Sequence, residues 1–129
     1  MSTGVMDRFV GQSYINLETF RRTGAGVRTP VWFAAEEGMI YVRTLPQSGK
    51  VKRLRNNPRI RLVPSDARGE PLDEWADGGA HLVEDRETAS HANRLFRRKY
   101  GLAKAGFDLV QRLRGGRWAT IAIRVTGPD

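Results

Sequence analysis

RTPVWFAAEEGMIYVRTLPQSGKVKRLRNNPRIRLVP, residues 28–64, carries strand, turn, strand, helix and strand in immediate succession. With the two residues before it, GVRTPVWFAA (Gly26–Ala35) is rich in β-branched and aromatic residues, as is MIYVRTL (Met39–Leu45), and Glu36-Glu37-Gly38 between them is a turn. Pro30 has no N–H to give to a ladder, so its run is expected at a sheet edge or a bulge. Pro46-Gln47-Ser48-Gly49 breaks the pattern, and Lys50–Asn57 reads as a short helix with Val51 and Leu54 on one side. Pro58 ends it, because the residue before a proline is pushed out of the helical region. RIRLVPSD (Arg59–Asp66) then alternates basic and apolar residues as a half-buried strand does.

The flanks extend this pattern. Tyr14–Gly24 (YINLETFRRTG) reads as a strand joined to the Gly26 run by a tight Gly-Ala-Gly link, and residues 3–11 as a short opening helix with Val5, Phe9 and Val10 on its apolar side. Downstream, residues 67–79 form a polar loop and Ala80–Asp85 a short strand. ETASHANRLFRRKYG places Ala92, Leu95, Phe96 and Tyr100 at helical spacing, with Gly101 as C-terminal cap, and a second helix follows through Phe107, Val110 and Leu113. Trp118–Gly127 is the clearest strand, with Ile121, Ile123 and Val125 on one face and Trp118, Thr120, Ala122 and Arg124 on the other. The sum is a mainly β domain over residues 1–129: a six-stranded antiparallel barrel with small helices and a helical insertion.

With 129 residues the chain is expected to hold one core, and its lack of cysteine excludes disulfides and thiolate metal sites. No apolar run approaches the roughly 18–20 residues of a membrane helix, so a cytoplasmic protein is expected. The net charge of +8, with arginine far outnumbering lysine, implies attraction to anions. Between Gly38 and Ser65 every charged residue is basic: Arg43, Lys50, Lys52, Arg53, Arg55, Arg59 and Arg61. Arg43 and Thr44 end a strand, and Ser48 and Gly49 open the helix that carries Lys50 and Lys52. A helix N-terminus offers unpaired N–H groups and the positive end of its dipole, so the Ser48 hydroxyl and Lys50 beside those amides would make a phosphate site. Spacing alone leaves a solvated basic helix equally open.

Other chemistries lack their residues. His81 and His91 are the only histidines and sit in a strand and a helix; no metal site is expected, and Glu70, Asp73, Glu74 and Asp77 read as a solvated acidic loop. No glycine-rich dinucleotide motif follows a strand. Trp32 and Tyr41 near the basic segment are of the type that stacks on bases, yet no helix-turn-helix, zinc-finger or RNA-recognition signature is present, so no specific nucleic-acid partner is expected. If the chain is an enzyme acting on a small molecule, a cofactor carries the reactivity.

The order of a strand carrying PVWF, an acidic-glycine turn, a strand ending in Thr44, Ser48-x-Lys50, a basic helix and Asn56-Asn57-Pro58 resembles the pyridoxamine 5′-phosphate oxidase-like split β-barrel family. Within it, residues 14–66 resemble the flavin/deazaflavin oxidoreductases, many of which use coenzyme F420. The resemblance implies that Thr44, Ser48 and Lys50 hold the cofactor phosphate with help from Lys52, and that the backbone of Pro30, Val31 and Trp32 lies along the tricyclic ring. It implies a homodimer with the cofactor between two barrels, Trp118 being the partner's contribution, and residues 87–115 as an insertion beside the substrate pocket. The expected activity is hydride transfer between reduced F420 and an unsaturated or quinone-like molecule; the alternatives are an FMN-dependent oxidoreductase or a non-catalytic flavin- or haem-binding protein. Coenzyme F420 carries a polyglutamate tail, for which Arg53, Arg55, Arg59 and Arg61 supply positive charge beyond one phosphate's need.

Overall fold

Six strands close into an antiparallel barrel. β1 (Tyr14–Phe20), β2 (Gly26–Glu36), β3 (Met39–Thr44), β4 (Arg59–Ser65), β5 (Ala76–Leu82) and β6 (Ala119–Gly127) pair in the order β1-β2-β3-β6-β5-β4, and β4 returns to β1. Helix α1 (Gly49–Asn56) connects β3 to β4, and α2 (Arg86–Leu113) connects β5 to β6. The computed structural model describes residues 4–113 and 118–127, and of residues 102–113 the helical backbone alone.

Residues two apart fill the barrel: Ile15 and Leu17, Ile40 and Val42, Ile60 and Leu62, and Ile121 and Ile123 are all fully buried, joined by Phe33 and by Phe9 from a 3₁₀ turn over Val5–Phe9. The intervening residues Ala34, Tyr41 and Ala122 face outward and are covered by Ala92, Leu95 and Phe96 of α2. β2, β3 and β6 are therefore packed on both faces where α2 lies. Burial of this kind stabilises by roughly 25 cal/mol per Å² of apolar surface removed from water.

β2 changes partner along its length. Gly26–Trp32 pairs with β1, whereas Phe33–Glu36 pairs with β3. Pro30 falls in the first part, opposite Asn16 and with no partner on the β3 side, so its missing N–H removes no bond there. The expectation of an edge position for Pro30 is met. Beyond Val42, β3 leaves β2 and its last residues Arg43 and Thr44 pair only with β6. The two strands thus part, and the barrel splits on this side.

At the point of parting, α2 ties down the backbone of Phe33. The Tyr100 hydroxyl donates to the Phe33 carbonyl, with the Ser13 carbonyl also 2.8 Å away, and accepts from the Phe33 N–H at 3.1 Å. Lys99 Nζ donates to the same Phe33 carbonyl at 2.8 Å. Gly101 follows in a non-helical conformation (φ 57°, ψ −126°), which breaks α2 where the sequence placed a cap.

Some boundaries differ from the expected ones. β1 stops at Phe20, because Arg21–Gly24 closes a turn in which the Gly24 N–H reaches the Arg21 carbonyl, so the link to β2 is longer than Gly-Ala-Gly. The hairpin after β2 is a two-residue turn with positive φ at both Glu37 (52°) and Gly38 (82°), the geometry that matches strand twist. The opening helix is a 3₁₀ turn rather than an α-helix, and β6 begins at Ala119 instead of Trp118. The largest difference is β5, which starts at Ala76, four residues before the expected Ala80, and runs through Gly78 and Gly79. These glycines look like a loop, but a Cβ on Gly78 would lie 2.7 Å from the Arg124 carbonyl oxygen and 3.0 Å from Ile60 Cδ1, next to a register shift at Asp77/Gly78.

Gly78→Ala is accordingly expected to destabilise the fold by about 1–3 kcal/mol through overpacking, whereas Gly79→Ala, with open space at its Cβ, should change stability by less than about 0.5 kcal/mol. Urea unfolding of both variants checks the difference.

Candidate functional site

The basic corner assembles where the barrel parts. Ser48 caps α1, its Oγ accepting from the Val51 N–H at 3.4 Å, as its position in the sequence suggested. Thr44, at the end of β3 and almost fully buried, donates to Ser48 Oγ at 3.3 Å. The strand end and the helix N-terminus are thereby joined through two hydroxyls. Val51 and Leu54 anchor α1 to the barrel and leave the N-terminal turn at the surface.

Two cations crowd this turn. Arg53 reaches back over Gly49, so closely that a Cβ there would lie 2.6 Å from Arg53 Nη1, and its Nε donates to Thr19 Oγ1 of β1 at 2.6 Å. Lys50 is half-buried, and burial first and the neighbouring Arg53 second hold its pKa below the usual lysine value. Arg53 is likewise lowered, by burial and then by Arg21. Among the described residues no carboxylate pairs with either. Arg22 adds a further guanidinium nearby, hydrogen-bonded to Asn56 at the far end of α1. A set of mutually repelling, partly desolvated cations beside helix amides fits an anion.

The expected site residues divide into three groups. Thr44, Ser48, Gly49 and Lys50 come together at this corner, with Lys52 exposed on the same helix. Pro30, Val31 and Trp32 lie on the part of β2 that β3 does not cover. Arg43 and Trp118 stand elsewhere, on the outer face beneath α2: the Arg43 guanidinium is 4.3 Å from the Trp118 ring centroid and 5.6 Å from that of Phe96. That face continues through Phe96 and Tyr100, 5.7 Å apart, to Trp32, which stacks on Tyr100 at 4.7 Å and 8°. A row of aromatic rings thus runs from β2 to β6 along the split.

Thr19 is the corner residue that the sequence did not single out, and Arg53, expected to serve the polyglutamate tail, stands at the phosphate corner itself. Arg53 was visible as part of the basic run, but Thr19 is brought to it only by barrel closure. Arg61 leaves the group: it pairs with the buried Glu18 and with Asp77 and lies over Trp75. Arg59 lies over the Phe20 ring at 4.5 Å. In the acidic loop, Asp73 pairs with Arg8, and among the described residues no His, Asp and Glu cluster suits a metal ion. His91 is bound to Glu36 at 2.5 Å, and His81 is exposed. Among the described residues no helix is long and apolar enough to cross a membrane.

This architecture is the split barrel of pyridoxamine 5′-phosphate oxidase-like proteins. Similar solved structures include the heme storage protein HutZ from Vibrio cholerae (TM-score 0.72, 13% identity, 96% of this chain and 89% of that one). A FAD-binding protein from Mesorhizobium loti matches with TM-score 0.64 and 14% identity over 95% of this chain and 85% of its own. A protein provisionally named a pyridoxamine 5′-phosphate oxidase, from Listeria innocua, matches with TM-score 0.65 and 13% identity over 95% and 91%. No family model and no curated protein matches the sequence.

The crowded cations carry a signature in ligand-free protein. A lysine whose folded pKa lies below its unfolded value costs stability at neutral pH, and the cost is relieved as pH rises from the folded pKa towards about 10.5. Lys50→Met should therefore be at least as stable as the parent at pH 7, and the parent should gain on the variant between neutral pH and pH 10. Thermal melts across that range check both signs.

Proposed function

We propose that this chain is an oxidoreductase that binds a phosphate-bearing tricyclic redox cofactor, the deazaflavin coenzyme F420, and reduces an unsaturated or quinone-like small molecule. The observation that carries this reading is the partly buried pair Lys50 and Arg53, without a carboxylate partner among the described residues, at the Ser48-capped N-terminus of α1. The Thr44 and Ser48 hydroxyls, the first amides of α1 and the Lys50 amine would hold the phosphate, and Lys52 would add charge from the exposed side. The edge of Pro30, Val31 and Trp32 would position the ring system, and the aromatic row from Trp32 to Trp118 would shield it from water. Hydride transfer is the cofactor's own chemistry; the protein supplies position and electrostatics.

Cofactor choice follows from the amount of positive charge. Arg61 is neutralised by Glu18 and Asp77, but Arg21 and Arg22 join Lys50, Lys52, Arg53 and Arg55 around α1. One phosphate monoester leaves most of that charge unmatched, while a polyglutamate tail uses it. FMN is the second reading, because the hydroxyl-capped corner suits its phosphate equally. A heme storage protein and a FAD-binding protein among similar folds support the use of such a barrel for planar cofactors.

A second copy of the chain is part of the proposal. Within PVWF, Phe33 is buried in the barrel and Trp32 packs on Tyr100. What supports a dimer is the stretch Gly26–Val31, which pairs with β1 but not with β3 among the described residues and along which a ring system needs a cover. Light scattering at tens of micromolar should give a dimer.

Titration with both cofactors tests the assignment. Coenzyme F420 is expected to bind with Kd near or below the micromolar range and FMN at least tenfold more weakly; FMN binding tenfold tighter, about 1.4 kcal/mol, overturns the deazaflavin. Lys50→Ala should weaken binding about 10- to 150-fold, from roughly 1.5–3 kcal/mol for a charge-assisted bond, and Ser48→Ala by about 0.5–1.5 kcal/mol. Unchanged affinity in Lys50→Ala would place the cofactor elsewhere.

A further inference from the structure

A second cleft, of about 370 Å³, opens between the 3₁₀ turn and the β2–β3 hairpin and is lined by no residue of α1. Its volume falls in the range of roughly 300–1,000 Å³ found for small-molecule sites. Met6, Phe9, Val10 and Phe33 supply an apolar wall, and Lys99 is its one cationic lining residue among the described residues. Phe9 and Phe33 are buried behind it, but Val10 is 75% exposed, more than any other large apolar side chain among the described residues, so the outer part of the wall lacks a cover.

Lys99 is held in place but not neutralised. Its Nζ donates to the Phe33 carbonyl and lies 3.6 Å from the Phe33 ring centroid, and among the described residues no carboxylate pairs with it. Glu36, on the cleft wall, is engaged by His91. Asp7 and Glu37 line the exposed rim, and Tyr100, beside the amine, stays neutral because burial raises its pKa.

We propose that this cleft binds a small amphipathic carboxylic acid, whose carboxylate pairs with the Lys99 amine and whose apolar body covers Val10 and Met6. An amine ligand would find Asp7 and Glu37 at the rim but would meet the Lys99 charge at the wall. Burial brings the Lys99 pKa down to about 8, so the amine is largely charged at pH 7 and a bound carboxylate would raise its pKa again. Affinity should then be full near pH 6–7, fall as pH rises past 8 and the amine loses its proton, and fall again below about pH 5 as the ligand's carboxyl is protonated, with proton uptake on binding at pH 8–9.

The experiment is an amide-resolved NMR titration of the whole chain at pH 6.5 with hexanoate, hexanol and hexylamine. Hexanoate should shift saturably the amides of residues 6–11, 33–38 and 99, with hexanol at least tenfold weaker and hexylamine weaker still. Lys99→Met should lose tenfold or more of the hexanoate affinity, and Lys99→Arg should keep most of it. The inference is overturned if hexylamine binds as tightly as hexanoate, if the shifts map elsewhere, or if Lys99→Met binds like the parent. The wild-type titration decides the case even where a variant fails to fold. Since the cleft shares no residue with the Thr44–Lys50 corner, its failure leaves the cofactor reading standing.

Discussion

A strand can pair with two neighbours only while both run alongside it, and β2 is too long for that. Its first seven residues follow β1 and its last four follow β3, so the chain must hold its course through the change at Phe33. The Phe33 side chain enters the barrel core, and its N–H and C=O meet the Tyr100 hydroxyl and the Lys99 amine from α2. An unpaired buried amide costs roughly 1–3 kcal/mol, so this clamp makes the parting of the strands tolerable. Because β2 and β3 part there, Thr44 leaves β2, α1 can begin next to the gap, and Pro30 can sit in a strand without breaking a ladder bond. Site and split have one origin.

The corner that results is costly for the protein by itself. Arg21, Lys50 and Arg53 repel one another, and two of them are partly withdrawn from water. Across the barrel two arginines are neutralised: Arg28 and Arg61 flank the buried Glu18, and Trp75 lies against both guanidinium groups. A charge cluster left unpaired beside helix amides favours anion binding, because the ligand then relieves repulsion as well as forming new bonds.

Much of the barrel is readable from local pattern, since β4, β6 and α1 carry alternation or caps in a few consecutive residues. What escapes are features made by distant parts of the chain. Gly78 and Gly79 look like a loop until the Arg124 backbone is seen to pass 2.7 Å from where a Cβ would stand. Thr19 gains its place only by barrel closure, and Arg61 loses its place through Glu18 and Asp77. The contact of Trp32 and Phe33 with Tyr100 is likewise invisible locally, because Tyr100 lies 67 residues from Phe33 in the chain. The basic corner is readable because Ser48, Gly49 and Lys50 are neighbours in sequence; the tyrosine clamp is not, because nothing local requires it.

The account stands on the N-terminus of α1 being an anion site, and inorganic phosphate added to the isotope-labelled protein without cofactor tests that directly. The amides of Gly49, Lys50 and Val51 and the signals of Thr44 and Arg53 should shift together and saturate along one curve. Shifts that grow without saturation and spread over exposed arginines such as Arg94, Arg97 and Arg98 would contradict it.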